Sequence, residues 1–133
     1  MPSGVKALDC GYSAKWNTLV VLGTNGNLYL FDKDLNLTKT INNVKPTLGS
    51  LYTVTVSEDY IYVNGNGNGM KGVGLRVFDL QGNEIADTSL IVDDIAITKN
   101  MKACKVLDFN GIAILTVLGW SPDGCSFFHI NIQ

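Results

Sequence analysis

Short apolar runs alternate with polar turns along the whole chain, and this pattern predicts β-strands. The clearest case is the pair of apolar runs at residues 19–22 and 28–31, which flank the turn segment 24–27. Asn and Gly tolerate the positive φ angles that tight hairpin turns require. Asn-Gly pairs recur along the chain, at Asn25-Gly26, Asn64-Gly65, Asn66-Gly67, Asn68-Gly69 and Asn110-Gly111. We therefore expect a series of antiparallel hairpins.

Helical periodicity is missing from the same pattern. No stretch sustains the i, i+3, i+4, i+7 apolar spacing of an amphipathic helix. Residues 90–101 form the best helix candidate, but β-branched side chains disfavour a helix there, namely Ile91, Val92, Ile95, Ile97 and Thr98. The fold class predicted from these patterns is all-β.

Similar segments recur at a period of roughly 48 residues, which is typical of propellers and other repeat arrays. Residues 28–32 (Leu-Tyr-Leu-Phe-Asp) match residues 75–79 (Leu-Arg-Val-Phe-Asp) and, less closely, residues 127–131 (Phe-Phe-His-Ile-Asn). We expect a single domain over 1–133 with three copies at approximately 5–41, 51–90 and 104–133. The first two copies should be four-stranded antiparallel units, with strands at 5–9, 18–22, 28–32 and 37–41, and at 51–56, 60–63, 75–79 and 84–90. The third copy supplies strands at 105–109, 112–118 and 127–132.

Several of these segments resemble a known blade type. The succession Val21-Leu22-Gly23, Asn25-Gly26 and a strand ending in Phe31-Asp32 resembles the middle hairpin of WD-repeat and quinoprotein-type propeller blades. Residues 74–79 resemble the blade strand that ends in Trp-Asp in WD repeats, with Phe78 in place of the Trp. Residues 120–124 (Trp-Ser-Pro-Asp-Gly) resemble a turn of WD-repeat and TolB-type propellers. The resemblance implies propeller-like blades that present loops to protein partners.

Closure of the ring leaves alternatives open at this point. Propellers usually contain ~4–8 blades, and the chain supplies fewer than three complete ones. The copies could be part of a longer ring, several chains could assemble one, or the fold could be different. A β-trefoil, which also has twelve strands in three copies, is the main alternative, and another barrel or sandwich is a third.

Composition and charge exclude several classes of partner. Ten Lys or Arg residues against twelve Asp or Glu give a net charge of −2, and nucleic-acid binding depends on clustered positive charge, so we expect no nucleic-acid partner. No apolar run approaches the ~18 residues of a membrane span, and the N-terminal residues lack the apolar region of a secretory signal. Three widely spaced cysteines do not indicate a disulfide framework, and we expect a cytoplasmic protein.

Two motifs suggest ligands but lack essential parts. Residues 67–72 carry a Gly-x-Gly-x-x-Gly pattern, yet the segment that follows is strand-like, whereas a dinucleotide site needs a helix N-terminus there. Asp32, Asp34 and Asn36 match the opening of a calcium loop, but Leu37 stands at the usual Gly position and Asn43 at that of the bidentate Glu. A long hairpin loop and a solvated turn are the better interpretations.

Other reactive side chains form no recognisable constellation. Cys125 and His129 lie four apart on a predicted strand, about 13 Å along it, too far for two ligands of one zinc ion. Neighbouring carboxylates such as Glu58-Asp59 and Asp93-Asp94 point to opposite faces of a strand. We therefore expect no enzymatic activity, no cofactor and no metal.

The function expected from the sequence is a non-catalytic protein-interaction scaffold, completed by oligomerisation or by a partner chain. The glycine-rich loop is a candidate partner contact through Asn64, Asn66, Asn68, Met70 and Lys71. The last strand is a candidate edge for pairing with another chain, through Phe127, His129 and Asn131. The alternative is a carbohydrate-binding, lectin-like module, because Trp16, Trp120 and the five tyrosines could stack on sugar rings.

Overall fold

The computed structural model describes residues 1–46, 51–66, 72–91, 103–109, 112–118 and 125–129. Within these ranges the chain forms strands and no helix, so no described helix could cross a membrane. The strands are β1 (Ala7–Ser13), β2 (Thr18–Gly23), β3 (Leu28–Phe31), β4 (Leu37–Ile41), β5 (Leu51–Val56), β6 (Tyr60–Asn66), β7 (Gly72–Asp79), β8 (Glu84–Ile91), β9 (Ala103–Phe109), β10 (Ile112–Leu118) and β11 (Cys125–His129). The all-β prediction is confirmed.

The strands form three separate antiparallel sheets, which we call blades 1, 2 and 3. Blade 1 has the order β1-β2-β3-β4, blade 2 the order β5-β6-β7-β8, and blade 3 the order β9-β10-β11. Every strand pairs with its neighbour in sequence, in antiparallel register. Each blade is therefore a simple meander, as the expected four-stranded units require.

Strand boundaries differ from the predicted ones at two informative places. β1 lies at Ala7–Ser13 rather than 5–9, because its second half pairs with β2 from Cys10↔Val21 to Ser13↔Thr18. β6 extends three residues beyond the predicted end at 63, so Asn64-Gly65 lies inside a strand and not in a turn. Asn64 is fully buried, and Thr53 Oγ1 donates a 2.8 Å hydrogen bond to its side-chain oxygen Oδ1.

The turns after β3 and β7 have the same construction. In the first, Asp32 Oδ1 accepts hydrogen bonds from the backbone N–H groups of Asp34 and Asn36, at 2.9 Å each. In the second, Asp79 Oδ1 accepts from Gln81 at 3.0 Å and from Asn83 at 2.8 Å. A carboxylate that caps the backbone in this way closes the turn without a metal ion.

The described core lies between blade 1 and blade 2. Blade 1 contributes buried side chains from β2 and β3, and blade 2 contributes buried side chains from β5, β6 and β7. The cluster consists of Val20, Leu22, Leu28, Leu30, Val44, Val54, Ile61, Val63, Phe78 and Leu80. Full burial of one such side chain stabilises the fold by roughly 1.5–3 kcal/mol, so the packing of blade 1 on blade 2 contributes substantially to stability.

The three blades stand in a row through their first strands. β1 packs on β5, and β9 packs on both β5 and β6. Polar contacts reinforce the first junction: Val54 N–H donates to Asp9 Oδ2 at 3.0 Å, and Ser13 Oγ donates to the backbone oxygen of Glu58 at 2.8 Å. Among the described residues, blade 2 therefore packs against a neighbouring blade on both faces, whereas blades 1 and 3 each do so on one.

Candidate functional site

Each blade has two faces, which we name by direction along the row. The forward face of a blade points toward the next blade in the chain, and the rear face points toward the preceding one. In blade 1 the forward face carries Val20, Leu22, Leu28 and Leu30, which pack in the core against blade 2. In blade 2 the rear face carries Val54, Ile61, Val63 and Phe78, which complete that core from the other side.

The strand registers identify the rear face of blade 1. Residues directly opposite each other in an antiparallel pair share a face, and Leu19 lies opposite Phe31 as Ile61 lies opposite Phe78. Val21 lies opposite Cys10 in the same way as Val63 lies opposite Val54. The rear-face positions of the two blades therefore correspond one to one: Cys10 to Val54, Leu19 to Ile61, Val21 to Val63 and Phe31 to Phe78.

Equivalent positions in the two blades differ in burial. Val54, Ile61 and Val63 are fully buried, because blade 1 covers them. On blade 1 the Cys10 thiol is exposed, and Leu19 and Phe31 are only partly buried. The same kind of apolar face is thus covered in blade 2, whereas in blade 1 Val21 and Tyr29 are buried on it and the positions around Cys10, Leu19 and Phe31 are partly open.

The uncovered rear face of blade 1 is concave. It forms an open apolar depression of about 360 Å³ that is lined entirely by non-polar side chains, from Met1, Val5, Ala7, Leu19, Val21, Phe31 and Leu35. Tyr12 lies opposite Leu19 on the same face and is 52% exposed. The depression therefore leaves apolar side chains of this face open to solvent.

The other end of the row, blade 3, also exposes apolar side chains. Val106 and Ala113 are buried on the side that meets blade 2, where Thr55 Oγ1 donates to the backbone oxygen of Val106. Adjacent strand residues point to opposite faces, so Leu107 and Ile112 belong to the forward face, and they are 45% and 48% exposed. Both ends of the blade row therefore present apolar side chains to solvent.

A polar cluster at one rim joins blades 1 and 2. Lys15 Nζ lies 2.7 Å from Asp59 Oδ1, and Trp16 Nε1 donates to the same oxygen at 3.2 Å. The hydrogen bond from Lys15, followed by that from Trp16, holds the pKa of Asp59 below its ordinary value, and the same contact raises the pKa of Lys15. Asp59 is an ion-pair partner between blades and not a poised proton acceptor.

In the calcium-like run at the start of the β3–β4 turn, the Asp32 carboxylate accepts hydrogen bonds from within the turn. Hydrogen bonds from Asn36 above all, and also from Asp34, keep the pKa of Asp32 below its ordinary value. At Asp79, partial burial opposes ionisation, but hydrogen bonds from Asn83, Gln81 and Gly82 outweigh it, and the pKa is lowered there too. Within the described part of the chain, no cluster of three or more His, Cys, Asp or Glu residues could hold a metal ion.

The predicted partner loop is described only at its start. Asn64 is buried inside β6, so its side chain is not displayed to a partner, and Asn66 is the last residue of that strand. Asn68, Met70 and Lys71 lie outside the described residues. Of the predicted edge strand, Phe127 and His129 belong to β11, which stands at the end of the order of blade 3, and Asn131 is outside the described residues.

The rear face of blade 1 was not identified from the sequence, although a signal for it exists. Leu19, Val21 and Phe31 repeat the apolar positions of Ile61, Val63 and Phe78 when the two copies are aligned strand by strand. Such an alignment would have shown that the first copy carries an apolar packing face equivalent to that of the second.

Comparison with known proteins identifies the fold but not a family. No protein-family model matches the sequence, and no curated protein matches it. Among solved structures, the chain is similar to the WD40 domain of Toxoplasma gondii coronin, with a TM-score of 0.66, 12% identity, and coverage of 97% of this chain and 33% of that one. It is also similar to a structure of the eukaryotic initiation factor, with a TM-score of 0.58, 14% identity, and coverage of 98% and 34%.

The chain thus spans about a third of the length of these solved proteins. Its described sheets are separate antiparallel meanders, two of four strands and one of three, packed face to face, an arrangement that differs from the single closed barrel of the β-trefoil alternative. The resemblance seen in the sequence is confirmed at the level of fold. The chain is a row of β-propeller blades of the type found in WD40 domains.

Proposed function

We propose that this protein is a non-catalytic protein-interaction scaffold whose row of blades is completed by further blades, either from another copy or from a partner chain. One observation carries the proposal: the rear face of blade 1 is apolar and open, although the equivalent face of blade 2 is buried against a neighbouring blade. The WD40 fold of the similar structures is consistent with binding to other proteins in general.

The exposed apolar ends of the row explain why completion is favourable. Burial of apolar surface stabilises association by about 25 cal/mol per Å² before the costs of association are counted. Phe31 and Leu19 lie in a shaped depression, so a partner sheet could fill it as blade 1 fills the equivalent surface of blade 2. The burial of apolar side chains that holds blades 1 and 2 together would also favour binding of a further blade.

The described carboxylates support a non-catalytic role. Asp32 and Asp79 cap turns, and Asp59 is tied to Lys15 and Trp16 across the blade junction. In each case the lowered pKa keeps the group ionised and engaged, whereas a general acid or base needs a pKa near the working pH.

Two further contacts belong to the same proposal. β11 is the outermost described strand of blade 3, and an edge strand offers unpaired backbone groups that can pair with a strand of another chain. The segment after β6 that contains Asn68, Met70 and Lys71 is a second proposed contact. These residues would bind a partner that the apolar end faces have already positioned.

A lectin-like function is less well supported by the geometry. Trp16 is 45% exposed in the turn between β1 and β2. The equivalent turn in blade 2, between β5 and β6, consists of Ser57, Glu58 and Asp59 and carries no aromatic residue. Repeated sugar pockets would need similar residues in each copy, and these two turns differ in theirs.

An apolar fluorescent dye tests whether the rear face is an open binding surface. We expect dilute wild-type protein to bind anilinonaphthalene sulfonate, and we expect Phe31→Glu to lose most of this binding because a charge then stands in the depression. Ile85→Glu is the matched control, since Ile85 is an exposed apolar residue on the outermost strand of blade 2. Wild-type protein that is monomeric and binds no dye would contradict the proposal.

A further inference from the structure

We propose that Trp16, Glu58 and Asp59 form a site for an arginine side chain of a partner protein. The site lies on the rim where the β1–β2 turn of blade 1 meets the β5–β6 turn of blade 2. The guanidinium would stack on the Trp16 indole and donate hydrogen bonds to the two carboxylates. The site goes beyond the proposed function and is separate from the rear face of blade 1, because it is built at the junction of two described blades.

The indole of Trp16 is held in one orientation and is nevertheless exposed. Its Nε1–H donates to Asp59 Oδ1 at 3.2 Å, and its backbone N–H donates to Ser13 Oγ at 3.3 Å. With both anchors in place the residue is still 45% exposed. A side chain that is already fixed loses little conformational freedom on binding, and the face of Trp attracts cations more strongly than that of Tyr or Phe. Trp16 is therefore a preorganised surface for a cation.

Lys15 shows that a cation fits beside this ring. Its Nζ lies 5.9 Å from the centroid of the Trp16 ring, within the ~6 Å range of a cation–π contact. The same ammonium lies 2.7 Å from Asp59 Oδ1, the oxygen that also accepts from the indole. Asp59 Oδ2 accepts no hydrogen bond from the described residues. A second cation can thus bind Oδ2 without displacing Lys15.

Glu58 supplies a second carboxylate to the same cluster. The buried Ser13 hydroxyl donates to the backbone oxygen of Glu58 at 2.8 Å and accepts from the Trp16 N–H, so one hydroxyl joins the two residues. The pKa of Lys15 is raised above all by its contact with Asp59 and also by Glu58, which indicates that the charge of Glu58 acts on the cluster. Glu58 is exposed, and its carboxylate is therefore available to a partner.

The charge of this rim favours a cationic partner. Successive turns of a meander alternate between its two rims, so the β1–β2, β3–β4, β5–β6 and β7–β8 turns share one rim. Carboxylates outnumber lysines there, with Asp32, Asp34, Glu58, Asp59 and Asp79 against Lys15 and Lys33. Arginine suits the site better than lysine, because its planar guanidinium stacks on aromatic faces and presents several N–H donors, whereas an ammonium is compact and strongly hydrated.

The test follows the indole N–H signal of Trp16 by NMR in ¹⁵N-labelled full-length protein, with Trp16→Phe used to assign the signal. The probes are glycine pentapeptides whose central residue is arginine, lysine or citrulline, the neutral isostere of arginine. We expect the arginine peptide to shift the signal saturably, and the citrulline peptide to bind about fivefold more weakly or worse, because the cation is lost. Equal binding of the arginine and citrulline peptides would overturn the inference, and a lysine peptide that binds as tightly as the arginine peptide would overturn the assignment to arginine.

Two variants with the same change of charge show whether binding occurs at this site. We expect Glu58→Gln to raise the dissociation constant of the arginine peptide about threefold. Asp34→Asn removes a carboxylate from another turn on the same rim and should leave that constant nearly unchanged. Equal weakening by both variants would show only general attraction to the rim and would overturn the inference.

Controls separate binding from folding and from the proposed function. Glu58 and Asp34 are exposed, so both variants should keep the wild-type circular dichroism spectrum and unfolding temperature. Wild-type protein whose Trp16 signal shows no saturable shift with the arginine peptide overturns this inference. The proposed function then still stands or falls with dye binding at the rear face of blade 1.

Discussion

At the scale of single residues, the turns after β3 and β7 show how two divergent copies reach one conformation. Both require a positive φ at the fourth residue of the turn, where blade 1 has Leu35 at +63° and blade 2 has Gly82 at +92°. Glycine adopts this region readily, whereas other L-residues lose roughly 1–2 kcal/mol there. The aspartate that starts each turn and the asparagine that ends it supply the compensating hydrogen bonds.

Substitution of Gly82 by alanine tests this account of the turn. An alanine at position 82 would have to adopt a φ of +92°, and its Cβ would lie 2.9 Å from Lys39 Cδ. We expect Gly82→Ala to lower the free energy of unfolding by about 1 kcal/mol, measured by urea denaturation. Gln81→Ala, one residue earlier in the same turn, is the control and should be nearly neutral. Equal midpoints for the two variants would show that the turn does not depend on glycine.

The capping aspartates also predict how stability changes with pH. The pKa of Asp32 and of Asp79 is lower in the folded protein than the ordinary 3.8. A group with a depressed folded-state pKa stabilises the fold fully above the ordinary value, and this contribution is lost as the pH falls through the folded-state value. We therefore expect the urea concentration at the unfolding midpoint to decrease as the pH is lowered below about 4.

Asp79→Asn should make that acid dependence shallower, because it removes one of the carboxylates that must be protonated. Asp34→Asn is a suitable control, since Asp34 joins the turn through its backbone N–H. The same acid slope in wild type and Asp79→Asn would mean that the hydrogen bonds to Asp79 add no pH-dependent stability.

Some residue-level features could be predicted from the sequence and others could not. The interpretation of Asp32, Asp34 and Asn36 as a turn followed from the missing glycine and glutamate of a calcium loop, which are local features. The burial of Asn64 did not follow, because Asn-Gly is a strong turn signal in isolation. Only the pairing of Asn64 with Thr53 on the neighbouring strand shows that the amide is satisfied inside a sheet.

At the scale of the elements, the junction of blades 1 and 2 depends on a close approach of two strands. A Cβ at Gly11 in β1 would lie 2.7 Å from Val56 Cγ2 in β5, well inside van der Waals contact. Glycine therefore allows the first strands of the blades to approach each other. This contact explains why β1 includes Gly11, which a pattern of apolar residues does not assign to a strand.

A double-mutant cycle measures this contact. We expect Gly11→Ala to destabilise the protein by about 1–3 kcal/mol through overpacking, and Val56→Ala to destabilise it by loss of buried methyl groups. The double variant should be more stable than the sum of the two effects predicts, by at least about 0.5 kcal/mol, because Val56→Ala removes the nearest atom. Strictly additive effects would show that β1 and β5 are not in direct contact at this point.

Strand identity was largely predictable because each strand is a local apolar run between turn residues. The centres of β2, β3, β4 and β5 lie where the pattern placed them. The limits of β1 and β6 depend on pairing with a neighbouring strand, Ser13 with Thr18 and Asn64 with Thr53. Such pairing leaves little trace in the residues of one strand.

At the scale of the whole molecule, the repeat indicated propeller-like blades and an incomplete ring but not the surface that completes it. Strands buried on both faces are apolar throughout, so the sequence of β2 does not distinguish its forward from its rear side. The structure does, because Val20 and Leu22 are covered by blade 2 while Leu19 faces the open depression. The rear face of blade 1 is thereby defined as the candidate binding surface.

The accessibility of Cys10 tests the central claim most directly. Its thiol is exposed on the rear face of blade 1, at the position where blade 2 has the fully buried Val54. Alkylation followed by peptide mass spectrometry reports this cysteine separately from the other two. We predict that Cys10 in dilute, folded wild-type protein is alkylated about as fast as in the unfolded chain, because its thiol is open to solvent. A Cys10 that is alkylated at least tenfold more slowly in the folded protein would contradict the account, because the rear face of blade 1 would then already be covered.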